Sequence, residues 1–197
     1  VNDTPTPLPN DLSGTALEEA LAQATGLVID PAVAVGKPPY VRANGVRVVL
    51  SSRRALDPSV ALGLARWATT RHRLVPPTEL VATLIREAAV NATVHGNLGL
   101  PGLQGFGGDL DAYLSAMDEA LACPDRATRP VLFAWRSGGR LLTLHVRDGG
   151  NGFASPLPPA VGPTVSGNGL RLIRSIADRT RHSQGGRCLS VGFRCDA

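Results

Sequence analysis

Glu87-Ala-Ala-Val-Asn91-Ala-Thr-Val-His95-Gly96-Asn97 is the stretch on which the reading of the chain turns. Just upstream and into it, Leu80, Val81, Leu84, Ile85, Ala88 and Ala92 recur at helical spacing, which predicts an amphipathic helix. Glu87, Asn91 and His95 are each four residues apart and stack into one polar stripe on such a helix. A carboxylate, an amide and an imidazole then face a common space. Gly96 and Gly99 stand where helices commonly end. Taken alone, the stripe fits a solvated helix face as well as it fits a site.

Working outward, the 197 residues suit one domain of ordinary size with room for a full core. Hydrophobic residues make up 43% and charged residues 18%, which excludes a disordered chain. No apolar run approaches membrane-spanning length. Val1-Asn-Asp-Thr-Pro-Thr-Pro7 has neither the basic region nor the apolar stretch of a signal peptide, so a cytoplasmic location is expected. The net charge of +4 comes from arginines spread along the chain, with Lys37 the only lysine, and nucleic acid is not an expected partner. Cys123, Cys188 and Cys195 are odd in number and form no C-x-x-C, so they are expected to be reduced thiols, with no zinc site or disulfide framework.

Residues 1 to 12 are rich in Pro, Asn, Asp and Thr and are expected to be loosely draped. Thr15-Ala-Leu-Glu18 fits a capping box opening a short helix that ends at Gly26. Pro31 to Pro39 reads as irregular. Tyr40 to Leu50 reads as two strands around Asn44-Gly45. Asp57-Pro58 opens a helix to about Arg71, and Thr78 is the expected cap of the central helix. Leu98 to Gly108 is a glycine-rich loop. Asp109 to Ala122 reads as a helix stopped by Pro124. Val131–Arg136 and Leu141–Val146 read as a strand hairpin. A Pro- and Gly-rich flap over Phe153 to Ser166, a helix over Leu170 to Ala177, and strands over Thr180–Gln184 and Cys188–Phe193 complete the chain. Helices and antiparallel hairpins in this order predict an α+β fold. The expected form is a two-layer α/β sandwich with a mixed, mostly antiparallel sheet covered by helices on one face. Residues 1–40 are expected to form an N-terminal extension with one short helix, and residues 41–197 the main domain.

Two glycine motifs carry further chemistry. Asp148-Gly149-Gly150-Asn151-Gly152 follows a strand. A carboxylate there accepts from a donor such as the adenine amine, and the glycines let a flat ring approach the backbone. Gly167-Asn168-Gly169-Leu170 opens a helix, where backbone N–H groups favour phosphate. Gly36-Lys37-Pro38 cannot serve as a P-loop, so that route to ATP is closed.

Taken in order, the polar helix, the Asp-x-Gly-x-Gly turn and the Gly-x-Gly-Leu helix start resemble the N-box and two glycine boxes of the Bergerat ATP-binding fold. Gyrase, MutL and histidine kinases share that fold. Within it, the chain looks most like the bacterial anti-sigma-factor serine/threonine kinases and the related ATPase-like domains. Tyr113, Pro124, Arg126 and Arg129 add to the likeness, which spans about Val46 to Phe193.

The resemblance implies Mg²⁺ and ATP as cofactors. It implies Asn91 as the Mg²⁺ ligand, Glu87 as general base, and Asp148 as acceptor of the adenine amine. Gly150 and Gly152 would shape the pocket, Gly167, Asn168, Gly169 and Leu170 would wrap the phosphates, and Ser190 would help to hold adenine through water. A structural hydrogen bond is expected for His95. The implied function is phosphorylation of a STAS-domain anti-anti-sigma factor, with a sigma factor as a further partner and the chain as a homodimer. Two alternatives stand beside it: a non-catalytic ATP-dependent interaction module, and the catalytic domain of a histidine kinase, for which only His72 lies upstream of the N-box. A DNA-binding regulator is the remaining class.

Overall fold

The computed structural model describes residues 5–8, 14–24, 26–33, 45–152 and 168–196. The elements follow in chain order: strand β1 (Thr6–Pro7), helix α1 (Gly14–Gln23), strands β2 (Leu27–Ile29) and β3 (Arg47–Ser51), then helices α2 (Ser52–Ala55), α3 (Pro58–His72) and α4 (Thr78–Val90). A π-helical turn (Asn91–Asn97) continues α4, and a 3-10 turn (Leu103–Phe106) leads to α5 (Leu110–Ala122) and α6 (Pro124–Ala127). Strands β4 (Pro130–Gly138) and β5 (Leu141–Arg147), helix α7 (Asn168–Ile176), and strands β6 (Arg179–Ser183) and β7 (Cys188–Arg194) complete the fold.

The seven strands form one mixed sheet in the order β1-β2-β3-β4-β5-β7-β6. β1–β2 and β2–β3 pair in parallel, and the other pairs are antiparallel. The class is α+β, compatible with a two-layer sandwich. The main core lies between the sheet and the helices, and Val81, Leu84 and Ile85 of α4 belong to the same buried cluster as Leu142, Leu144 and Val146 of β5. Burying each such side chain contributes about 1.5–3 kcal/mol. A smaller cluster of Val49, Leu132, Ala134 and Cys188 occupies the other face.

Local chemistry explains the helix starts. Asp57 caps α3 by accepting from Ser59 N at 2.9 Å, with Pro58 in the first turn. Asp109 caps α5 by accepting from Ala112 N at 3.0 Å. Thr78, the expected cap of α4, is instead its first residue. Its Oγ1 lies 3.0 Å from Thr69 Oγ1, and the cap position falls to Pro77.

Other expectations are corrected. Thr6–Pro7 is not draped but pairs with β2, a strand too short to leave a periodic signal. β2 in turn pairs with β3, so this part of the expected extension belongs to the main sheet. Pro124 does not only stop α5; it opens α6. Gly96 does not end the central helix, which runs on to Asn97. Leu80, expected on the apolar side, is exposed. The first strand expected at Tyr40–Ala43, and the flap at Phe153–Ser166, lie outside the described residues.

Candidate functional site

α4 and its π-helical turn run beside β5, and a cavity of about 260 Å³ opens between them. Asn91, His95 and Gly96 line one side of it, and Val146 and Asp148 the other. Alternation along β5 sets the second wall. Leu142, Leu144 and Val146 point into the core, and Asp148, two residues on, keeps the same side at the end of the strand.

Close backbone packing builds the site. Gly150 lies so near Gly96 that an added Cβ would collide with the Gly96 carbonyl. A Cβ on Gly96 would in turn strike the Asp148 carboxyl group. A continuous π turn in place of ordinary helix is a form often found at functional sites. Here it brings Gly96 against Asp148 while Asn91 still faces the same cavity. Asn97 fixes the pairing. Its Oδ1 accepts from Gly149 N at 2.8 Å, and its Nδ2 donates to Ser52 Oγ at 2.9 Å and to the Pro130 carbonyl at 3.1 Å. Arg129 Nη1 holds the Asn97 carbonyl at 2.7 Å.

Asp148 is buried, and burial pushes its carboxyl group above the usual carboxylate range. The Gly150 N–H, donating to Oδ1 at 2.8 Å, pulls it part of the way back, as do the Arg187 and Arg147 charges. The result is a strong, poorly hydrated acceptor on an otherwise largely apolar wall.

At the other end, Glu87 and Asn91 meet the start of α7. A Cβ on Gly169 would collide with Glu87 Oε2 and lie 3.8 Å from Asn91 Nδ2. Asn91 Nδ2 is buried with no hydrogen-bond partner among the described residues. Half a turn of that amide sets its oxygen in the same place. An unpartnered amide beside a carboxylate is a hard-oxygen donor set that fits Mg²⁺, which keeps most of its shell as water and phosphate oxygens. Among the described residues, no cluster of three His, Cys, Asp or Glu side chains could hold a metal.

Of the residues expected from sequence, Asn91, Asp148, Gly152 and Leu170 line the cavity. Gly150 shapes it from behind, and Gly169 and Glu87 lie together at its edge. Asn168 is the first residue of α7. Gly167 lies outside the described residues. Ser190 is not at the cavity. It is on the opposite face of the sheet, with its Oγ 2.8 Å from His145 Nδ1. Leu189 takes the lining position on β7. The apolar alternation of Leu189, Val191 and Phe193 already turns Ser190 outward.

His95, as expected, makes a structural hydrogen bond, with Nδ1 2.9 Å from the Leu100 carbonyl. Two polar side chains on the lining belong to no motif: Arg187, and His182, which pairs with Leu189 across β6 and β7. Burial, followed by the Arg174 charge, lowers the His182 pKa. Neither residue leaves a local signal, because only the register of the last hairpin brings them to the cavity.

Among the described residues, no helix is long and apolar enough to cross a membrane. Comparison of the chain with protein-family models and with curated proteins gave no match.

Proposed function

We propose that the cavity binds the adenine of ATP in a Bergerat-type fold, and that the chain is a Mg²⁺-dependent serine/threonine protein kinase of the anti-sigma-factor kind. One observation carries the reading. Three motifs far apart in sequence supply Asn91, Asp148 and Leu170 to a single small cavity. Its volume of about 260 Å³ lies near the lower end of small-molecule sites, as suits a base with its sugar and phosphates extending outward.

In this reading, Asp148 accepts a hydrogen bond from the exocyclic amine, and the bare Gly96–Gly150 contact leaves the ring free to lie against backbone. Asn91 offers its amide oxygen to Mg²⁺, which supplies charge neutralisation on the phosphates. The N–H groups at the start of α7 receive phosphate oxygens. Glu87 accepts the proton of an attacking serine or threonine hydroxyl. The substrate is then a STAS-domain anti-anti-sigma factor and a sigma factor is a further partner, with the chain acting as a cytoplasmic homodimer.

A second reading keeps nucleotide binding and drops the chemistry. The cavity wall includes Asn91 but, among the described residues, not Glu87, one helical turn earlier. The histidine-kinase reading is less favoured. His72 ends α3 with its ring edge-on to Trp67 at 5.6 Å, packed rather than presented on a dimerisation helix.

Titration with a fluorescent ATP analogue, with and without Mg²⁺, tests the pocket. Binding by the native chain that collapses in Asp148→Asn supports it, and no binding by the folded native chain overturns it. Glu87→Gln then divides the two favoured readings. Phosphotransfer lost with binding kept supports the kinase, and unchanged partner regulation supports the module.

A further inference from the structure

Strands β3 to β7 carry Arg47, Arg136, Arg147, Arg179, Arg181 and Arg194, and no aspartate or glutamate. Alternation and register set all six on one side of the sheet. Leu142, Leu144 and Val146 of β5 and Leu189, Val191 and Phe193 of β7 turn inward to the helices, so the residues between them turn outward. Cross-strand partners share a face, which carries the outward side from strand to strand. One outward row runs Arg136, Thr143, Gly192, Arg179, and the next runs Ala134, His145, Ser190, Arg181. Arg47 stands opposite Ala134, Arg147 opposite Cys188 and Arg194 opposite Leu141, all on the same side.

Arg136, Arg179 and Arg181 are exposed, and they join no ion pair among the described residues. Arg194 is held by Asp178 at 2.7 Å. Like charge gathered in this way repels itself. Charge on an edge strand guards against stray pairing, which accounts for Arg179 and Arg181 on β6. It does not account for Arg136 and Arg147, whose strands are paired on both sides. After burial, the Arg136 charge lowers the His145 pKa, so the positive field extends to the middle of the face.

We propose that this outer sheet face, from Arg136 on β4 to Arg179 and Arg181 on β6, docks a partner protein through an acidic segment of that partner. Arg136 and Arg179 stand three strand spacings apart, about 14 Å, and Arg181 lies about 7 Å further along β6. Each guanidinium can take a carboxylate with two parallel hydrogen bonds. Other occupants fit less well. A second copy would set arginine on arginine. A lipid surface calls for exposed apolar side chains, and the large ones among the described residues, Val75, Leu80, Leu110, Leu114 and Leu172, all lie off the sheet. Single-stranded nucleic acid calls for aromatic platforms, and Phe133, Trp135 and Phe193 of these strands are buried in the core. The face lies across the sheet from the cavity and is independent of the nucleotide reading.

Fluorescence anisotropy with a labelled poly-L-glutamate of about 20 residues, titrated with the full chain at about 0.1 M and 1 M NaCl, tests the proposal. Binding should weaken at least about tenfold at the higher salt, where screening shortens from about 10 Å to about 3 Å. At the lower salt R179E/R181E should bind at least about tenfold more weakly, and R179Q/R181Q should fall between it and the native chain. R71E/R86E makes the same charge change on α3 and α4 and should stay within about twofold of native affinity. Circular dichroism and melting curves check that each variant folds. No binding by the folded native chain overturns the proposal, and so does an equal loss in R71E/R86E. Tighter binding of a single-stranded RNA of equal charge, or of phosphatidylserine vesicles, overturns it as well and assigns the face to nucleic acid or to a membrane.

Discussion

Asn97 Oδ1 accepts the Gly149 N–H at 2.8 Å, joining the end of the π-helical turn to the loop that carries Asp148. The other end of the same amide reaches Ser52 Oγ and the Pro130 carbonyl, so one buried side chain ties together four separate elements. Asn97→Ala leaves these groups unpaired in the interior and should cost about 1–3 kcal/mol of stability, read by urea unfolding. Nucleotide affinity should fall as well, because the loop holding Asp148 loses its tether. A variant with native stability and native binding would show that the tether is dispensable.

The glycine contact makes a sharper test. Gly150→Ala drives a methyl into the Gly96 carbonyl, backbone against backbone, with no side chain able to swing away. Gly138→Ala, in the β4–β5 hairpin, meets nothing within 4 Å. The first should lower the melting temperature and abolish nucleotide binding. The second should stay within about 0.5 kcal/mol of the native chain in thermal unfolding. Equal effects from the two would mean that the close approach does not shape the cavity.

These contacts also mark how far the sequence could be read. The central helix, the β4–β5 hairpin and the Asp148 turn were legible because periodicity and glycine spacing are local signals. Alternation alone could have excluded Ser190, since Leu189, Val191 and Phe193 fix its neighbours inward. β1 and β2 were not legible. Two and three residues are too few for a period, and their place depends on parallel pairing with β3. The π turn left no pattern either, because a single extra residue per turn is invisible in seven residues. His182 and Arg187 reach the cavity only through the register of β6 against β7.

Asp30 tests whether the N-terminal strands belong to the fold. Its buried carboxylate accepts from Ser51 N at 3.0 Å, Ser51 Oγ at 2.6 Å and Ala32 N at 2.9 Å, with Arg54 Nη1 at 3.5 Å. It locks the end of β2 to the junction of β3 and α2. Asp30→Ala strips partners from buried donors and should cost about 3–5 kcal/mol, the scale of breaking a buried ion pair. Chemical unfolding should remain a single transition at a lower midpoint. A loss confined to the first 30 residues, with the rest unfolding as before, would make those strands an appendage.

Asp148 should set stability and binding in opposition across pH. Burial raises its pKa in the folded state, so the native chain holds the proton more tightly than the unfolded chain does. Its contribution to stability is therefore greatest with the carboxyl protonated, and declines as pH climbs from the ordinary carboxylate range through the raised value. Asp148→Asn removes that decline while keeping an oxygen for the Gly150 N–H. The variant should match or exceed the native melting temperature at neutral pH, and the gap should close on acidification. Nucleotide binding should run the other way. The ionised carboxylate is the better acceptor for an amine, so native affinity should rise with pH through the same window and the variant should bind weakly throughout. Melting curves and titrations of both proteins across roughly pH 4 to 8 measure the two trends. An Asp148→Asn protein less stable than the native chain at neutral pH would mean that the carboxylate stabilises the fold, and that the cavity is built for structure rather than for a ligand.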